Sequence, residues 1–120
     1  MKKATIQIRR DAHAALAAMG KRFVKAWKSG KSSGDLLVFE SPAALFRVLT
    51  PKRWELVEQL QTMGPSSMRG LARALGRDVK RVHEDASELQ EYGLLARNEQ
   101  GKFHVPYDVI HADFDIRSVA

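Results

Sequence analysis

Arg77, Lys80, Arg81 and Glu84 fall within about two helical turns of one another and carry the hydrogen-bonding chemistry of base recognition. Arg and Lys donate to the guanine O6 and N7 acceptors in a major groove, and Glu accepts from the cytosine amine. Such contacts need a rigid helix whose first turns face the base edges. The sequence predicts that helix over 78–92. Val79, Val82, Ala86 and Leu89 recur at helical period as its buried stripe, Asp78 is suited to accept from the free amides of its first turn, and Gly93 is suited to end it as a left-handed cap. Ser87, Glu88 and Glu91 follow on the solvent side, where the carboxylates repel phosphate, so contact is expected in the first two turns. The plainer reading of the same charges is that they solvate an exposed helix.

The neighbouring elements must position that helix. Before it, Met68, Leu71, Ala72 and Leu75 line one face of a brief helix that Ser66 or Ser67 can cap, while Arg69 and Arg73 point away. Gly76-Arg77-Asp78 makes a tight turn between the two helices. After Gly93, the segments 94–97 and 102–105 flank the polar turn Asn98-Glu99-Gln100-Gly101 and predict a two-stranded hairpin. Helix, turn, longer helix and hairpin is the order of a winged helix-turn-helix, with helix 78–92 in the major groove and a wing at 94–105 on the adjoining backbone. In that arrangement Arg69 and Arg73, with Arg97 and Lys102 on the wing, are placed for phosphates. The expected DNA-binding set is therefore Arg69, Arg73, Arg77, Lys80, Arg81, Glu84, Arg97 and Lys102.

Upstream, Thr5-Ile6-Gln7-Ile8 alternates as a short strand, and Arg10 to Lys28 reads as an amphipathic helix. Its apolar stripe holds Leu16, Phe23 and Trp27, and Lys21, Lys25 and Lys28 fall broadly opposite. Ser29-Gly30-Lys31-Ser32-Ser33-Gly34 is linker-like. Leu36 to Phe39 predicts a buried strand, Ser41-Pro42 opens a helix through Val48, and Thr50-Pro51 opens another in which Trp54, Val57, Leu60 and Met63 recur until Gly64-Pro65. His111 to Ile116 alternates as an acidic edge strand able to add to a sheet in a second subunit or partner. The expected fold class is α+β. A winged helix-turn-helix at 35–120 follows an N-terminal strand and basic helix at 1–34 that serves as an arm or dimerisation element.

Charge and composition narrow the functions. The net charge of +6 favours polyanionic partners, and the excess is N-terminal, since residues 1–34 hold nine Lys/Arg against one Asp. Without Cys there are no disulfides, thiolate nucleophiles or usual structural zinc sites, and His13, His83, His104 and His111 include no pair at helical metal spacing. No nucleophile elbow, phosphate loop or dinucleotide fingerprint occurs, so neither enzyme activity nor a cofactor is expected. Glu84-Asp85 and Asp113-Asp115 are weak as acid pairs, and Trp27 and Trp54 read either as core or dimer-interface anchors or as walls of an effector pocket between the N-terminal helix and the winged helix. With no apolar run of about 18 residues and no signal-peptide core after Met1, a cytosolic location is expected.

The runs Leu49 to Arg53, Ser67 to Asp78 and Val79 to Asp85, with Tyr92-Gly93-Leu94-Leu95, resemble a family of small predicted bacterial and archaeal regulators with a MarR-like winged helix. The likeness extends to Arg22 to Trp27, Phe39-Glu40-Ser41 and Val105 to Ile110. It implies a DNA-binding transcription regulator, and members often look like the antitoxin partner of a neighbouring toxin. The two expectations that follow are a homodimeric, cytoplasmic regulator of double-stranded DNA, acting as a repressor, and an antitoxin-type protein that neutralises a toxin and regulates itself.

Overall fold

The computed structural model describes residues 2–8 and 34–115. The residues expected to form the basic helix at 10–28, with Trp27 and His13, the expected linker residues 29–33 and the end of the closing segment, 116, lie outside the described residues. The chain is α+β. Strands β1 (Lys3–Ile8) and β2 (Gly34–Phe39) are followed by helices α1 (Pro42–Val48), α2 (Pro51–Met63), α3 (Met68–Leu75) and α4 (Val79–Tyr92). The short strands β3 (Ala96–Arg97) and β4 (Phe103–His104) form a hairpin, and β5 (Val109–Ala112) comes last.

Each of the four described helices starts at a side-chain cap. Ser41 accepts from the Ala44 amide, Thr50 from Arg53, Ser67 from Gly70 and Asp78 from Arg81, each satisfying a donor the helix leaves free. Proline opens α1 and α2, where its missing N–H costs nothing. Of the two candidate serines before α3, Ser67 is the cap. Ser66 is buried and pairs antiparallel with Phe103.

β1 is the central strand of a three-stranded sheet ordered β2-β1-β5, parallel to both neighbours, with Ile6 opposite Leu37 on one side and Ala112 on the other. Ala4 and Ile6 are fully buried, as the alternation of a half-buried strand requires. Both edges of β1 are filled within its own chain, so this strand belongs to the sheet formed with β2 and β5. One expectation changes here. The closing strand lies earlier than expected, at 109–112, and is pinned within the chain, since the Lys2 carbonyl accepts from the Asp108 amide at 2.8 Å and the Asp108 carboxylate accepts from the Lys2 amide at 2.9 Å. Alternation in a sequence marks a strand without saying which strand completes it.

One hydrophobic core joins the elements. Leu45, Leu49, Leu56, Leu60, Leu71, Leu89 and Leu94 are enclosed, each contributing about 2 kcal/mol by leaving water. The sheet meets the end of α4 where Phe39 stacks on Tyr92 with ring centroids 5.7 Å apart. Met63 and Val79 depart from the expected buried stripes and are exposed. Met63 is the last residue of α2, and Val79 is the first of α4, so each extends past the layer it was predicted to join.

Candidate nucleic-acid interface

The turn between α3 and α4 is built from backbone chemistry. Gly76 adopts the left-handed conformation at φ 66°, and the Arg77 amide then reaches back to the Ala72 carbonyl at 3.0 Å, satisfying a carbonyl that the end of α3 would leave open. Asp78 is extended and caps α4 directly, so the two helices join through a few fixed residues. Gly93 repeats the device at the far end, at φ 88°, and the Leu94 amide returns to Leu89. From there the chain enters the β3–β4 hairpin. Asn98 Oδ1 accepts from the Gln100 and Lys102 amides, and Gly101 at φ 77° completes the turn. Reciprocal amide-to-carbonyl bonds between Ser66 and Phe103, at 2.9 and 3.0 Å, tie the hairpin to the segment preceding α3.

A carboxylate holds α4 against the other helices. Asp85 accepts from Arg77 at 2.7 Å and from Arg53 Nε at 3.0 Å, and Arg53 Nη1 also donates to the Val48 carbonyl at 2.9 Å. One group thus links the end of α1, the start of α2, the α3–α4 turn and the middle of α4. Partial burial pushes the Asp85 carboxyl up, but the hydrogen bonds and charges of Arg77 and Arg53 outweigh that and hold it below the usual carboxylate range.

The clamp divides the expected site residues. Arg77 has a side chain only 15% exposed and committed to Asp85, and its Nη1 is covered without a hydrogen-bond partner among the described residues. Its fork faces the protein interior, so Arg77 does not present a guanine-reading pair of donors to solvent. Arg69, Arg73, Lys80, Arg81 and Glu84 are exposed, the first two on α3 and the others on the opening turns of α4. His83 is exposed beside them. On the hairpin, Lys102 is exposed, and the Arg97 guanidinium lies 4.3 Å from the centre of the Phe103 ring. Sequence reasoning left out Arg53 and Asp85, and no local pattern marks them, because the contact spans 32 residues.

Elsewhere, Trp54 is partly buried against the core, as the anchor reading has it, and borders an open depression of about 390 Å³ with Val57, Glu58, Gln61 and Asp108; the pocket expected between it and Trp27 lies partly outside the described residues. Among the described residues no three His, Cys, Asp or Glu side chains converge as a metal ion would require, and no helix is long and apolar enough to cross a membrane.

The chain belongs to the HVO_A0114 family, whose sequence profile matches residues 48–112. That span contains α2 to β5, the Asp85 clamp and every residue of the expected DNA-binding set. No curated protein matches the chain.

Proposed function

We propose that the segment from α2 to the hairpin is a winged helix-turn-helix and that the protein is a sequence-reading, double-stranded DNA-binding regulator without enzymatic activity. The observation that carries this reading is the division of the cations around α4. Arg77 is locked inward on Asp85 and fixes the helix, while Lys80 and Arg81 project from its first turn with Arg69 and Arg73 nearby on α3. In the proposed complex the start of α4 enters the major groove, α3 lies across a phosphate backbone, and Lys102 and Arg97 reach the neighbouring backbone from the hairpin. A homodimer would set two such helices about 34–36 Å apart on a pseudo-palindromic site.

Fluorescence anisotropy of the full chain on its own promoter fragment and on a scrambled fragment, at two salt concentrations, tests this. Strong preference for the promoter is expected. Equal and equally salt-sensitive binding to both would reduce the protein to a polycation without sequence reading.

A second reading, an antitoxin-type module that binds a partner protein, is favoured by Phe46. This α1 residue is 55% exposed and touches Phe114 edge-on, outside the proposed DNA face. A substitution such as Phe46→Ser that leaves DNA binding intact and abolishes capture of the product of an adjacent gene would establish that role.

A further inference from the structure

We propose that Val79 reads the 5-methyl group of a thymine, making it a specificity-determining residue of the interface; this rests on the DNA-reading proposal above. Val79 is the first residue of α4 and is 43% exposed, whereas Val82, one turn on, is fully buried. Among the described residues it is the one exposed large hydrophobic side chain on α3 and α4. It is neither part of the buried core nor among the partly buried residues packed on it, so core packing does not account for it.

Its surroundings define the partner. Lys80 and Arg81 are exposed in the same turn, Arg73 is exposed on α3, and His83 follows one turn later beside Val79. Lys80 and Arg81, next to Val79 in the chain, draw a polyanion, while the adjoining Asp78 carboxylate is engaged by the Arg81 amide, and an exposed apolar group beside them meets whatever apolar group the polyanion offers. On the base edges of a major groove that group is the thymine methyl. The first residues of a groove-entering helix approach the bases most closely, which suits the short reach of valine. Arg77, turned onto Asp85, leaves this position to Val79 and Lys80.

The test starts with selection of binding sequences from a random duplex pool by the full chain, followed by replacement of each selected thymidine with deoxyuridine, which removes only the methyl group. One replacement per half-site is expected to weaken wild-type binding about fourfold, the value of one buried methylene-sized group. Val79→Ala should bind the thymidine and deoxyuridine duplexes alike. A Val79→Ala protein that keeps the deoxyuridine penalty, or loses affinity equally on both duplexes, overturns this assignment while leaving the DNA-reading proposal in place. Failure of the wild type to enrich any sequence overturns both. A thermal melt of Val79→Ala matching the wild type confirms that an exposed position was changed without loss of fold.

Discussion

Arg77 and Arg81 are the same residue type, one helical turn apart, and have opposite fates. Arg77 is drawn inward by Asp85 and Arg81 stays in solvent, although each was expected to present donors to a base edge. The α3–α4 turn and the first turn of α4 are thus a holding region and, under the proposed function, a reading region in direct succession. What separates them is a carboxylate eight residues beyond Arg77 and a second arginine contributed by α2. Charge in a sequence marks where an interaction is available; the nearest counter-charge in the fold decides whether it is used internally.

The largest expected effect comes from breaking the holding region. Asp85→Ala leaves two partly buried guanidinium groups without their acceptor and should cost about 3 kcal/mol in urea unfolding. Asp85→Asn retains the shape and some hydrogen bonding and should cost less. A loss near zero for Asp85→Ala would show that the clamp is a loose surface pair and that α4 is held by Val82, Ala86 and Leu89 alone.

Next comes the reading region. Lys80→Ala and Arg81→Ala should each weaken binding to a selected duplex by about 1–3 kcal/mol and leave urea stability within about 0.5 kcal/mol of wild type. Arg77→Ala should show the reverse balance, with a clear loss of stability and a loss of affinity that follows from it. If Arg77→Ala instead keeps its stability and relaxes sequence preference at one base pair, Arg77 is a reading residue and not a holding one.

This contrast also shows which parts of the molecule were legible in advance. Helix starts at Ser41, Thr50, Ser67 and Asp78 and stops at Gly64, Gly76 and Gly93 are local events, fixed by one hydroxyl, carboxylate or left-handed glycine, and the chain displays them in order. The Asp85 clamp, the placement of β1 between β2 and β5, and the return of β5 onto its own chain depend on residues far apart in sequence, which periodicity does not connect. Val79 was misplaced for a different reason. A stripe at helical spacing assumes that the neighbouring layer runs the whole length of the helix, and here α4 starts before that layer does.

Acidification should separate the two regions with a smaller effect. The Asp85 carboxyl lies below its ordinary value in the folded chain because Arg77 and Arg53 favour the charged form over the opposing effect of burial. Its contribution is therefore complete above about pH 4, the unfolded value, and is lost as pH falls through the lower folded value. Urea midpoints of wild type and Asp85→Asn should differ by a constant amount from pH 8 to pH 5 and converge below about pH 4. A difference that already closes near pH 6 would mean that the carboxyl is not held down by its two arginines.

The smallest effect belongs to the hairpin, where Arg97 rests on the Phe103 ring and remains exposed. Such a contact at an exposed site contributes about 0.5–1 kcal/mol, so Arg97→Gln should scarcely shift the unfolding midpoint. If the hairpin lies along a phosphate backbone, the same substitution should lower the salt slope of DNA binding by about one and weaken all duplex sequences alike. Phe103→Leu keeps the charge and removes the ring that orients it, with a buried side chain still filling much of the space. A reduced affinity with an unchanged salt slope is expected for that variant. An unchanged slope in Arg97→Gln as well would detach the hairpin from the interface and confine DNA contact to α3 and the opening turns of α4.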